Sequence, residues 1–228
     1  MCSCSLPEQS TCQDPPPLQS HPDGAVAGTG DVRYLWDAGE TIKIAFMGGQ
    51  GTIVQRNTVR LFASEWLGYA FLKFEWIDHP QFADVRISFD ETIGSWSYVG
   101  SIARLITNPD RATMNFGWVG KYGEEADRRV ILHEFGHVLG MMHEHRRNEM
   151  ALRMREPRPN WYGSIIDDDM HLQTDYDDRS IMHYPIADDL TIDGEGVLYT
   201  SELSHLDKRW ANLAYPFPTD YKVFIPNQ

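Results

Sequence analysis

The sequence predicts an α+β domain in which a mixed sheet carries packed helices. Three observations predict it. Short runs rich in β formers surround a segment of helical period, a second helical segment carries histidines, and after Met141 the periodicity fades into a stretch punctuated by Pro157, Pro159, Pro185, Pro216 and Pro218. Residues 1–30 come first and read as a tail or pro-segment. They are rich in Pro, Ser, Gln and Gly, a composition that buries too little apolar surface to order itself. Residues 31–228 form the single folded domain, divided for its chemistry into 31–140 and 141–228.

Thr41 to Met47 (TIKIAFM) is rich in β formers and stops at Gly48-Gly49, as a strand would. Thr52 to Leu67 places Val59, Phe62 and Trp66 at i, i+3 and i+7, the spacing of an amphipathic helix, with Gly68 to close it. Phe71 to Trp76 and Asp84 to Phe89 are the next strands. In the second, Val85, Ile87 and Phe89 alternate with Arg86 and Ser88, which predicts one buried face and one exposed face. Gly94 to Gly100 and Thr113 to Phe116 supply shorter extended pieces, and Asp193-Gly194-Glu195-Gly196 reads as a turn.

Charge and cysteine usage remove several function classes. Lys and Arg total 20 against 33 Asp and Glu, a formal charge of −13, which opposes binding to nucleic acid or anionic membrane, since both need clustered cations. No run approaches the roughly 18 apolar residues of a membrane span. The polar opening has neither the cationic start nor the apolar stretch of a secretory signal. Cys2, Cys4 and Cys12 all lie in the tail and none follows, so no disulfide framework holds the folded part.

The chemistry concentrates in Glu124 to His145, EEADRRVILHEFGHVLGMMHEH. Glu124, Glu125 and Asp127 crowd the first turn, where the helix dipole favours negative charge. Ile131, Phe135 and Val138 form one stripe, while His133 and His137 project from nearly the opposite side. Two imidazoles one turn apart can converge on one ion, and Gly140 can end the helix in a left-handed turn that brings His143 round as a third ligand. Three neutral nitrogen donors leave a fourth position open on one Zn2+ ion, as catalysis requires. Glu134, beside the first histidine, is placed to act as general base on the attacking water and then as acid toward the leaving amine. These five residues at fixed offsets arise by chance at on the order of one in tens of millions of start positions.

HEFGHVLGMMH resembles the extended HExxHxxGxxH signature of metzincin zinc endopeptidases, and the following Glu144 is similar to the astacin-like version. Ser180-Ile181-Met182-His183-Tyr184 resembles the astacin Met-turn. The resemblance implies that Met182 forms an apolar floor beneath the zinc. It also implies that Tyr184 is a distant fifth ligand when the site is empty and a donor to the oxyanion once substrate binds. GSWSYVG (Gly94 to Gly100) is similar to an astacin stretch, with Ser95 where those proteins carry cysteine. Asn115-Phe116-Gly117-Trp118 and Asp207-Lys208-Arg209 resemble cysteine-poor microbial relatives.

A metzincin fold follows by implication, with an upper lobe of twisted mixed sheet and helices, a lower irregular lobe and zinc at the floor of the cleft between them. The activity implied is hydrolysis of peptide bonds in a polypeptide lying extended along an edge strand, by a monomeric and extracellular enzyme. Two other readings stand beside it, a zinc amidase on a non-protein substrate and a catalytically idle zinc-stabilised module. By resemblance Glu144 pairs with the N-terminus of the mature enzyme; a plain surface glutamate is the alternative. A tail cysteine could hold the zinc latent, or all three could be idle thiols. The acidic run Asp167-Asp168-Asp169 with Asp175, Asp177 and Asp178 reads as a solvated face, and His145, His171, His183 and His205 show no spacing that suggests a second metal.

Overall fold

The computed structural model describes residues 32–155, Leu172 and 174–220. The tail with Cys2, Cys4 and Cys12, the run Asp167 to Asp169 and His171 lie outside the described residues. The expected strands form one sheet from β1 (Thr41–Phe46), β2 (Lys73–Trp76), β3 (Val85–Ser88), β4 (Ser95–Ser97) and β5 (Met114–Phe116). Their order is β2-β1-β3-β5-β4, with β4 antiparallel to β5 and the other neighbours parallel. The sheet is therefore mixed, and β2 and β4 are its edges.

Helix α1 (Ile53–Ala63) starts where the Thr52 hydroxyl accepts from the Gln55 amide and the Gln55 side chain returns the bond. The segment predicted to continue as one helix to Leu67 tightens instead into a 3-10 stretch, Ser64–Gly68, which buries Trp66. Helix α2 (Glu124–Val138) packs on α1 and on β4. Its Phe135 ring lies 5.4 Å from Phe74 and 6.3 Å from Trp76, joining helix and sheet in one apolar core.

One burial expectation is corrected. All four residues of β3 are buried, so Arg86 and Ser88 do not face solvent. A central strand flanked by parallel neighbours is covered on both faces, and the Arg86 guanidinium is satisfied inside by the carbonyls of Ala83 (3.1 Å), Ile106 (2.6 Å) and Arg111 (2.8 Å). Helix α2 keeps the expected division, Ile131, Phe135 and Val138 in the core and His133 and His137 on the other side, but both sides are buried from Ile131 to Val138. The segment after Met141 folds back over it and brings Met182 against Gly136.

Among its described residues, that later segment holds two α-helices outside the sequence expectations, α3 (Asn148–Arg153) and α4 (His205–Ala214). The start of α4 is nevertheless written in the chain. Ser204 and Asp207 stand at capping-box spacing and exchange bonds of 2.9 Å, amide to side chain in both directions. Met150, Met154, Ile186 and Val197, with Tyr176, form a small second apolar cluster.

A Cβ at Gly136 would strike the Met182 sulfur and come within 3.4 Å of Trp66. Both side chains are fully buried, leaving no room to yield. Gly136→Ala is expected to lower the unfolding free energy by about 1–3 kcal/mol in urea titration; an unchanged midpoint would show that Met182 can move aside.

Candidate active site

Helix α2 is fixed at both ends. Near its start, Asp127 accepts from the Gly120 amide at 2.8 Å, and Arg128 grips both Glu65 oxygens (2.9 and 2.7 Å) while donating to the Ser201 carbonyl at 2.6 Å. At its end, Gly140 adopts φ +101°, its amide donates to the His137 carbonyl (2.8 Å), and the Met141 amide donates to the Gly136 carbonyl (2.9 Å). This pair of bonds is a Schellman turn. The two remaining carbonyls are met from outside the helix, that of Val138 by the Trp36 indole at 2.7 Å and that of Leu139 by the Tyr215 hydroxyl at 2.5 Å.

This ending brings the three expected histidines together. Their ligand nitrogens all lie within 4.8 Å of one another, and all three residues are buried. His133 Nδ1 stands 2.8 Å from the Ile181 carbonyl and His137 Nδ1 stands 2.8 Å from the Met141 carbonyl. A carbonyl only accepts, so both rings donate from Nδ1 and turn an Nε2 lone pair toward the cluster. His137 Nε2 and His143 Nε2 are 3.0 Å apart. His133 Nε2 is buried without a hydrogen-bond partner among the described residues. Burial, reinforced by the neighbouring His137, holds His133 and His143 well below the ordinary histidine pKa, so both rings are neutral. Neutral imidazoles with convergent lone pairs and one orphaned nitrogen fit a zinc ion.

The other expected residues gather around this cluster. Glu134 is fully buried in α2 directly after the first histidine. Met182 lies beneath Gly136. The Tyr184 ring is 5.8 Å from that of His133 and 4.7 Å from that of His143. The turn carrying Met182 and Tyr184 is hung on α4, because Asp207 accepts from the Ser180 hydroxyl (2.6 Å) and the Ile181 amide (2.9 Å).

Sequence reasoning did not identify Asp207 as this anchor, nor the carbonyls of Ile181 and Met141 as the histidine tethers. A backbone acceptor leaves no mark in residue type; only the capping position of Asp207 could have signalled its role. His145 and His183, whose spacing suggests no second metal, stand beside Tyr184. The His145 ring is stacked on the phenol at 4.2 Å, and burial lowers the His183 pKa to about 4.

Glu144 is not a plain surface residue. Its side chain is 14% exposed and borders a pocket with Arg147, Asp177, Asp207, Leu172 and Trp210. It accepts from the Asp177 amide at 3.0 Å and lies 3.3 Å from Arg147. Burial outweighs the pull of Arg147 and pushes its pKa up to about 7. A carboxyl whose folded pKa exceeds its ordinary 4.5 supports the native state below about pH 4.5 and loses that contribution as pH rises through 7. Wild type is therefore expected to lose up to about 3 kcal/mol relative to Glu144→Gln between pH 4.5 and 8 in paired urea titrations. Parallel pH profiles for the two proteins would contradict this.

Comparison with known proteins agrees with the geometry. The profile of the peptidase family described as Astacin matches residues 29–189. Two solved structures of myroilysin are similar at 31% identity. One has a TM-score of 0.74, covering 82% of this chain and 98% of that one; the other has a TM-score of 0.64, covering 91% of each. High choriolytic enzyme 1, a hatching enzyme zinc-protease from the medaka fish Oryzias latipes, shares the fold at 18% identity and TM-score 0.55, over 80% of this chain and 94% of its own. A comparison with curated proteins finds no match. With a mixed α+β fold, a three-histidine cluster and a family match over most of its length, the chain belongs to the astacin family of zinc metalloendopeptidases and uses one catalytic zinc.

Proposed function

We propose that this peptidase cuts internal peptide bonds with His133, His137 and His143 as zinc ligands, Glu134 as general base and acid, and Tyr184 as oxyanion donor. The observation that carries the reading is the convergence of three buried imidazoles, the first two tethered at Nδ1. When bound, zinc supplies Lewis acidity, which polarises a carbonyl and lowers the pKa of water toward 7.

The remaining work falls to the chain. Glu134 takes a proton from the attacking water on a carboxylate oxygen and delivers it to the leaving nitrogen, so the peptide bond is replaced by an acid and an amine. The Tyr184 hydroxyl donates to the oxygen on which negative charge develops, an interaction absent from the ground state. Met182, fully buried under Gly136, supports the floor. Gly140 sets the turn that presents His143.

Of the two sheet edges, β4 packs along α2 with its backbone, whereas β2 meets it through the Phe74 and Trp76 rings against Phe135. β4 is accordingly the strand along which an extended substrate would pair by main-chain bonds. Ligands, base and phenol all come from one chain, which suits a monomer. Residues 31–228 make up the catalytic domain, the zinc helix closing an upper lobe of residues 31–140 and the segment 141–228 forming the lower lobe.

Glu134→Gln is expected to retain zinc and lose about 10²-fold to 10⁴-fold in kcat on an unmodified peptide; full activity would refute its role. Tyr184→Phe is expected to lower kcat by about 10-fold to 10³-fold with metal content unchanged. Loss of zinc in that variant, seen by elemental analysis, would make the tyrosine chiefly a ligand.

A further inference from the structure

Tyr184 is held at its backbone as well as at its ring. Its carbonyl lies 2.6 Å from His183 Nδ1. Because a carbonyl cannot donate, His183 carries its proton on Nδ1, and in the neutral ring Nε2 is then an acceptor. The Tyr176 hydroxyl stands 2.8 Å from that Nε2 and donates to it. Tyr176 is itself secured. It packs against the apolar cluster of Met150, Met154, Ile186 and Val197, its oxygen is 3.3 Å from the Met150 sulfur, and the Arg153 guanidinium lies beside it. Arg153 is tied in turn to Asp193 Oδ2 (3.0 Å) and the Glu195 carbonyl (2.6 Å). The His145 ring is stacked on the Tyr184 phenol at an interplanar angle of 23°.

We propose that the hydrogen bond from Tyr176 to His183 is a latch that positions Tyr184 for catalysis. His183 is buried, and its ring can hold the Tyr184 carbonyl only while Nδ1 faces it. An acceptor left buried and unmet at Nε2 would favour turning the ring toward another donor. The Tyr176 hydroxyl removes that incentive, so the peptide of Tyr184 stays fixed and its phenol keeps its bearing beside His133 and His143. A small misplacement of a catalytic group is costly in rate even when every group is present. Tyr176 and His183 are positioning residues, acting through Tyr184. A phenylalanine would fill the apolar cluster as well as Tyr176 does; the hydroxyl is what the latch requires.

The inference rests on the reading of Tyr184 as oxyanion donor, and a double-mutant cycle on the zinc-loaded full chain separates the two. Tyr176→Phe, Tyr184→Phe, the double variant and Met150→Leu are compared by steady-state cleavage of a fluorogenic peptide, with zinc content and thermal midpoint measured for each. Tyr176→Phe is expected to lower kcat by about 10-fold with KM and zinc content unchanged, and to have no further effect once Tyr184 is phenylalanine. Met150→Leu, which disturbs the same cluster but spares the bond, is expected to keep wild-type kcat.

An unchanged kcat in Tyr176→Phe overturns the latch. So does an equal loss from that change in both Tyr184 backgrounds, or a Met150→Leu loss as large as that of Tyr176→Phe. An unchanged kcat in Tyr184→Phe alone overturns the oxyanion reading and the latch with it, a result distinct from the other three.

Discussion

The end of the zinc helix is the constraint on which the site depends. A helix that ran on past Leu139 would carry the chain away from His133 and His137, and His143 could not join them. The left-handed conformation at Gly140 stops it, and the two bonds of the Schellman turn use the carbonyls of Gly136 and His137 that an ending helix would leave unmet. The same turn presents the Met141 carbonyl to His137 Nδ1, so a single backbone event both orients that imidazole and directs the chain toward His143. Packing reinforces it. A Cβ at Gly140 would lie 2.6 Å from Leu35, and Trp36 and Tyr215, drawn from opposite ends of the described chain, close off the last carbonyls.

A second fixed point lies in the irregular segment. Asp207 sits at the start of α4, where it completes the cap of its own helix and also holds Ser180 and Ile181. Through Ile181 it sets the carbonyl that orients His133, and through the following residues it sets Met182 and Tyr184. The histidine cluster is thus suspended between a helix terminus closed by backbone hydrogen bonds and a helix N-cap whose Asp207 carboxylate holds the turn. None of this needs a disulfide. The aromatic core running from Phe89 through Phe46 and Trp76 to Phe135 supplies the rigidity under the helix.

The parts legible in sequence are those where residue type and spacing carry the physics. Strand β1 and helix α1 follow from local pattern, and His133, Glu134, His137, Gly140 and His143 follow from the geometry of one helical turn and the freedom of one glycine. Burial is legible only where one face is wet. Arg86 reads as outward because its neighbours alternate, yet a central strand has no outward face and the guanidinium finds three carbonyls inside. The two faces of α2 are legible, apolar stripe and histidines, but that both are buried is not. Helix α4 is amphipathic, with Trp210 and Ala211 buried, but its stripe spans only ten residues, so the Ser204–Asp207 cap is the clearer signal. The tethers at Ile181 and Met141 leave no trace in sequence, since any residue type can offer a carbonyl.

The central claim is that three imidazoles, two of them tethered to backbone carbonyls, hold one zinc ion that this peptidase needs for cutting within a chain. X-ray absorption at the zinc edge, joined to metal analysis and product sequencing on the same preparation, tests it most directly. One zinc per chain is expected, with three imidazole nitrogens at about 2.0–2.1 Å, and internal cleavage of an unmodified polypeptide that stops on chelation and returns with zinc. A shell lacking three imidazoles, or cleavage that persists without metal, would contradict it.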